Sequence, residues 1–206
     1  MRVGIDFDNT LVRYDDLFHR VAREVADIPA DLPANKVVVR DYLRRVGRED
    51  VWTEMQGLVY GARMAEAEVY AGVPEVLAWA RSAGVALFII SHKTRVPFRG
   101  PAYDLHAAAR AWTRAVLADG DGPLVPDDHV FFEPTKADKL RRIAECGCDV
   151  FIDDLPEILQ AEDFPRRATV PLLFDPEANH AVDGIAAVTD WPSVRRFLEE
   201  RWPSLA

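Results

Sequence analysis

No run of apolar residues in this 206-residue chain approaches the roughly 20 that a membrane-spanning helix needs, so no membrane partner is expected. The first apolar stretch, Val3 to Phe7, is short and meets Asp8, Asn9 and Thr10 at once, unlike a secretory leader; a cytoplasmic location is the expectation. Cysteine is scarce. Cys146 and Cys148 stand one residue apart, too close for a disulfide framework, and no histidine or further thiol flanks them at metal-ligand spacing. Two thiols packed between a helix and a strand are expected instead. Positive charge is also in deficit: the formal net charge is -9, which repels a polyanion at long range and argues against a nucleic acid polymer as partner. Repeats and low-complexity tracts are absent. What remains, 49% hydrophobic and 29% charged residues, is the composition of an ordinary globular protein, long enough for one core plus a small inserted lobe.

Arg2 to Asp8 alternates Val3, Ile5 and Phe7 with small or polar residues and reads as a strand with Asp6 and Asp8 at its C-terminal end. From about Tyr14 to Ala71 the pattern is helical, with Leu17, Val21 and Val25 at i, i+4 and i+8 and a break at Pro29 and Pro33. Residues 14–71 are therefore expected to form an inserted helical lobe, and residues 1–13 with 72–206 an α/β core. Past Gly72 the chain alternates: a helix ending near Gly84, the apolar run Val85 to Ile90 ending at Ser91, and a helix from about Asp104 to Ala118 with Leu105, Ala108, Trp112 and Val116 on one face. Further strands are expected at Val130 to Phe132, Asp149 to Ile152 and Thr169 to Phe174, a helix opening near Thr135, and a closing helix over Pro192 to Arg201. Strands alternating with helices predict a doubly wound parallel sheet.

In such a sheet ligands bind beyond the carboxyl ends of the strands. Asp6 and Asp8 end one strand, Ser91 a second, and Asp153 with Asp154 a third. Four carboxylates on one rim repel one another unless a cation lies among them, and oxygen-only ligands favour a hard ion, Mg²⁺ foremost.

Asp-Phe-Asp-Asn-Thr-Leu after the first strand, Ser91 after the second, Lys136 at a helix start and Asp153-Asp154 after a later strand follow the order of the four motifs of the haloacid dehalogenase (HAD) superfamily, which the sequence resembles over most of its length. The resemblance implies a Rossmann-like core and a Mg²⁺-dependent phosphatase. Asp6 would be the nucleophile that becomes an aspartyl phosphate, and Asp8 the general acid and base. Family members that displace halide lack an acid at the position of Asp8, which favours phosphoryl transfer. Ser91 and Lys136 would bind the phosphoryl group, helped by backbone N–H groups of Asn9 and His92; Lys139, one turn later, is the competing lysine. The metal would be held by Asp6, the backbone carbonyl of Asp8, and Asp153, with Asp154 orienting a metal water or Lys136. Thr10 would tie down the loop after the first motif.

The helical insertion falls where family members carry a cap, which implies a small phosphate ester as substrate. Arg13, Arg63, Lys93, Arg95 and Arg99 are candidates to address a second part of it, and His92, Lys93 and Arg95 follow Ser91 directly. A small helical cap, an Ile-Asp-Asp fourth motif and Asp190-Trp191-Pro192 also resemble the deoxynucleotidase branch, so a nucleotide monophosphate is the first substrate expected and a sugar phosphate the second. A phosphomutase or a phosphonate-cleaving enzyme shares the Asp6 chemistry, the latter needing an imine-forming cap lysine, for which Lys36 is the candidate. A non-catalytic phospho-ligand-binding protein is the remaining alternative. Monomer and homodimer are both open.

Overall fold

The apolar runs assemble into one six-stranded, all-parallel sheet in a computed structural model that describes residues 1–205. Its central strand is β1 (Arg2–Ile5). Between β1 and the next core strand lie β2 (Val12–Arg13), the helices α1 (Asp15–Val25), α2 (Lys36–Arg45) and α3 (Glu49–Gly57), a one-turn π-helix (Leu58–Ala62) and β3 (Glu68–Val69). Then follow α4 (Val73–Ser82), β4 (Ala86–His92), α5 (Leu105–Val116), the hairpin β5 (Ala118–Asp119) and β6 (Gly122–Pro123), β7 (Val130–Glu133), α6 (Lys136–Cys146), β8 (Val150–Asp153), α7 (Pro156–Leu159), β9 (Val170–Phe174), β10 (Ala186–Val188) and α8 (Trp191–Arg201). The sheet order is β10-β9-β8-β1-β4-β7, which puts β8 and β4 on either side of β1 and so gathers the three acidic or hydroxylic strand ends.

Two short strands close the helical insertion on itself: β2 pairs antiparallel with β3, Val12 opposite Val69 and Arg13 opposite Glu68. Inside it α1 buries Leu17, Phe18, Val21 and Ala22, whereas Val25, placed by periodicity on the same stripe, is 47% exposed. The helix is nearly over at that residue, and Ala26 and Ile28 take the apolar contacts instead. A similar shift occurs in α5, where Ala109 and Thr113 join Leu105 and Trp112 on the buried face.

The helix starts obey capping chemistry. The side chains of Asn35, Asp104, Thr135 and Asp190 each accept a hydrogen bond from a backbone N–H of the turn they open, which satisfies donors the helix leaves free. A sixth strand, β10, was not foreseen, because its Ala-Ala-Val segment at the sheet edge is short and carries little β-branched character. Cys146 and Cys148 are buried free thiols, and burial pushes the Cys148 thiol up to about 12, so neither is poised to react.

Phe7, between the two aspartates of the first motif, is fully buried and meets Trp112 and Phe132 edge-on, with ring centroids 5.4 and 5.3 Å apart. This anchor fixes the loop that carries Asp6 and Asp8. Trp112 also donates its indole N–H to the Ala67 carbonyl at 2.9 Å, tying α5 to the end of the insertion. Trp112→Ala should therefore cost about 3–5 kcal/mol of unfolding free energy in denaturant titrations, as a large buried aromatic does when truncated.

Candidate active site

The Asp6 backbone N–H donates to the Ile152 carbonyl at 2.8 Å, so the β1 ladder continues one residue beyond the strand. The chain then turns sharply. Leu11 and Val12 N–H both donate to the Phe7 carbonyl at 3.1 Å, and Asn9 takes a positive φ of 58°, a conformation asparagine tolerates better than most residues. The result is a tight loop presenting Asp6, Asp8 and Asn9 to a cavity of about 130 Å³, also lined by Ser91, His92, Lys136, Lys139 and Asp154.

Three carboxylates, Asp6, Asp153 and Asp154, offer oxygen atoms within 4.8 Å of one another. One ammonium lies among them. Lys139 donates to Asp6 Oδ1 at 2.5 Å and to Asp153 Oδ2 at 2.6 Å, and is 1% exposed. Burial alone would lower its pKa, but Asp153 and Asp6 outweigh that and hold it fully protonated. A single cation does not balance three acids: burial, with Asp6 beside it, pushes Asp153 up to about 6 despite Lys139, and burial with Asp6 and Asp153 pushes Asp154 well above the ordinary carboxylate range. An all-oxygen set short of positive charge fits a hard divalent cation.

The two lysines of α6 and the two acids at the end of β8 are placed differently. Lys139, not Lys136, lies beside Asp6: the Lys136 ammonium bonds Glu157 at 2.6 Å with its side chain 51% exposed at the cavity rim. Thr135 caps α6, and Lys139 shares the sheet-facing stripe of Leu140, Ile143 and Cys146, so the second turn of the helix points into the site. Asp153 and Asp154 have different commitments within the triad. Asp153, fully buried, is occupied by Lys139 and by the Leu155 N–H at 3.0 Å. Asp154 lines the cavity, braced by Asn9 Nδ2 at 3.3 Å, with the Thr10 hydroxyl 3.5 Å away.

Asp8 stands apart from the acid cluster. Its carboxylate accepts from Lys93 at 2.7 and 3.0 Å and from the Tyr14 hydroxyl at 2.5 Å. Burial raises its pKa, yet Lys93 and Tyr14 together bring it below the usual carboxylate value. Lys93 is itself 4% exposed and lies over the Tyr60 ring, 4.7 Å from its centroid. Lys36, carried by α2, donates to Asn9 Oδ1 at 3.2 Å among the rings of Tyr14, Phe18 and Tyr60, with no carboxylate within salt-bridge distance among the described residues. The chain holds 21 arginines and only four lysines, and all four lysines sit at or beside this cavity.

The remaining candidates divide. Ser91 is buried at the end of β4 and lines the cavity, and His92 lines it too, its Nε2 3.1 Å from the Pro134 carbonyl oxygen. The Asn9 backbone N–H, expected to meet the phosphoryl group, instead donates to the Val12 carbonyl at 2.9 Å, which closes the loop; only the Asn9 side chain faces inward. Thr10 is wholly buried and does not line the cavity; its carbonyl accepts from the Trp191 indole at 3.1 Å, so it braces the loop and Asp154. Arg95 turns to Asp104 at 3.1 Å, 74% exposed, away from the cavity. Arg13, Arg63 and Arg99 are likewise committed to the carboxylates of Asp16, Glu66 and Glu54. Tyr14 was missed; its only signal in the sequence was its place at the start of a helical block.

No family model matches the sequence, and no curated protein matches it. Solved structures do. A dehalogenase superposes with a TM-score of 0.60 at 11% identity, 96% of each chain being covered. A HAD family hydrolase from Deinococcus radiodurans R1, solved with bound phosphate and sodium, gives 0.56 at 18% identity, over 97% of this chain and 95% of that one. The putative HAD hydrolase YfnB from Bacillus subtilis, bound to magnesium, gives 0.55 at 14% identity, over 96% and 97%. Among the described residues, no helix is long and apolar enough to cross a membrane. A six-stranded parallel sheet in this order, with a triad of acids at its carboxyl rim, gives the chain the fold of the HAD-superfamily hydrolases.

Proposed function

We propose that the chain is a divalent-cation-dependent phosphomonoesterase that works through an aspartyl phosphate on Asp6, with the helical insertion, residues 14–71, as its cap. The observation that carries this reading is the pairing of two chemically separated aspartates on one loop: Asp6 sits in the acid cluster beside Lys139, while Asp8 sits across the same cavity in the grip of Lys93 and Tyr14. Each aspartate keeps its own buried lysine on its own side of the cavity, which suits two separate roles.

With substrate bound, Asp8 gives up its ion pair with Lys93 and takes a proton; Asp6 attacks phosphorus and displaces the alcohol, whose oxygen takes that proton from Asp8. Water then attacks the phosphorus of the aspartyl phosphate, gives its proton back to Asp8, and releases phosphate with Asp6 restored. Lys139, Ser91 and His92 surround the transferring group and offset the charge that builds on its oxygens. A divalent cation held by Asp6 and Asp154, Mg²⁺ being the ion an oxygen set favours, would supply further positive charge there. Asp153 positions Lys139. A neighbour of the same fold binds phosphate and another binds magnesium, which is in keeping with this site.

The substrate is a small phosphorylated metabolite, a nucleotide monophosphate or a sugar phosphate. Halide displacement needs no acid in the place of Asp8, and here that carboxyl is held by two donors. Phosphonate cleavage needs a neutral lysine to form an imine, whereas Tyr60 and Asp8 raise the Lys36 pKa against the effect of its burial. Phosphate release from a panel of phosphomonoesters, with and without Mg²⁺, tests the reading: release should require the metal, and Asp6→Asn should lower it by about a thousandfold or more. Release that survives in the variant would reject Asp6 as nucleophile.

A further inference from the structure

A second cavity, of about 210 Å³, opens off the first and shares Asp8 and His92 with it. One wall is the insertion, Thr53, Gln56 and Tyr60; the other is the segment after β4, with Pro97 and Phe98. In the proposed reaction Asp8 meets the leaving oxygen, so the group attached to that oxygen lies on the Asp8 side, in this cavity.

Its lining is specific in charge. Lys93 and Asp8 are its only acidic or basic side chains besides His92, and they neutralise each other at 2.7 Å. Burial holds the His92 imidazole below its ordinary pKa, which favours the neutral ring. The outer walls are uncharged, so an anionic group there would find no counter-charge and would leave water at a cost. The cavity on the far side of Asn9, about 390 Å³, is the opposite, lined by Asp15, Glu157, Asp175 and Glu177 together with Lys36 and Arg40.

The lining is also specific in shape. Phe98 is 88% exposed on the segment after β4, a large aromatic face without a partner at the cavity wall. Tyr60 faces the cavity from the one-turn π-helix, a local winding found often at functional sites. A glycine lets these walls meet: a Cβ on Gly57 would lie 2.8 Å from Pro97 Cβ. A volume of about 150 Å³ suffices for benzene in a protein interior, so there is room for a single ring system.

We propose that this cavity selects phosphate esters whose leaving group is an uncharged aromatic ring, seated between Tyr60 and Phe98 with its polar edge toward Gln56 and Thr53. The proposal rests on the phosphomonoesterase reading for the direction of the leaving group, and it narrows the substrate class.

Phosphonates, whose C–P bond the proposed chemistry does not cleave, read the cavity without turnover. Calorimetric titration in Mg²⁺ buffer would compare benzylphosphonate with methylphosphonate and 2-carboxyethylphosphonate. Benzylphosphonate should bind at least about tenfold more tightly than either, a difference of about 1.4 kcal/mol. Phe98→Ala and the cavity-filling Thr53→Trp should each cut that ratio at least about fivefold, consistent with the loss of one aromatic contact or of the space itself. All ligands are measured on the same protein, so a general loss of folding lowers every affinity and leaves the ratio standing. Equal affinities in the wild type, no binding of any phosphonate, or a ratio that survives both substitutions would overturn the proposal. Failure of the phosphatase reading shows elsewhere, as no phosphate release from any ester while the binding ratio persists.

Discussion

Lys139→Met should destabilise the metal-free protein by about 3–5 kcal/mol and lower turnover by about a hundredfold or more, while Lys136→Met should stay within about 0.5 kcal/mol of wild type. The asymmetry follows from burial. Lys139 is the one ammonium bridging Asp6 and Asp153, and its removal strands two buried carboxylates, whereas Lys136 shares an exposed ion pair with Glu157, the kind that contributes little. The pH dependence separates this account from a plain packing defect. Asp153 is already raised to about 6 with Lys139 present. Without Lys139 the folded state holds protons on these acids more tightly than the unfolded chain does, so stability must rise as pH falls through the raised folded value toward the unfolded one. In buffer containing a chelator, denaturant titrations of the variant should therefore show a smaller deficit at pH 5 than at pH 7. A deficit independent of pH would assign the effect to lost side-chain volume.

Asp154→Asn should raise the Mg²⁺ concentration needed for half-maximal phosphate release by at least about 10–100-fold, and Asp153→Asn should instead lower the rate at saturating metal. Both acids belong to the triad that offers oxygens within 4.8 Å, but their other commitments differ. Asp153 is wholly buried and bonded to Lys139 and the Leu155 N–H, so its loss frees the lysine to drift from Asp6. Asp154 faces the cavity with only Asn9 and Thr10 near its oxygens. A metal titration of phosphate release decides between these roles. If Asp153→Asn carried the larger shift in metal requirement, the first acid of the pair would be the ligand and the second its support.

The layout of the core was legible because its signals are local. Continuous apolar runs ending in Ser91 and in Asp153-Asp154 mark buried parallel strands, and the carboxyl rim of such a sheet is where ligands go. What escaped depends on three-dimensional packing. Lys136 sits at the capped helix start and Lys139 one turn later, and sequence order alone favours the first. The second lies on the stripe of Leu140, Ile143 and Cys146, a lysine among core positions, and that pattern would have pointed to it. Asn9 has its N–H consumed by the turn it makes, a cost of the tight loop invisible without φ values. The arginines after Ser91 and in the insertion looked available, yet each finds a surface carboxylate nearby. The grip of Lys93 and Tyr14 on Asp8 joins residues 85 and 6 positions away and has no sequence signature at all.

The central claim is a covalent aspartyl phosphate at position 6, and trapping it is the most direct test. The enzyme would be mixed with its best phosphomonoester and Mg²⁺, quenched in acid during turnover, and treated with borohydride, which reduces an acyl phosphate to the alcohol. Peptide mass spectrometry should then find Asp6, and no other residue, converted to homoserine, with no conversion when substrate is omitted. Conversion at Asp8, Asp153 or Asp154, or at no residue while phosphate is being released, would contradict the account.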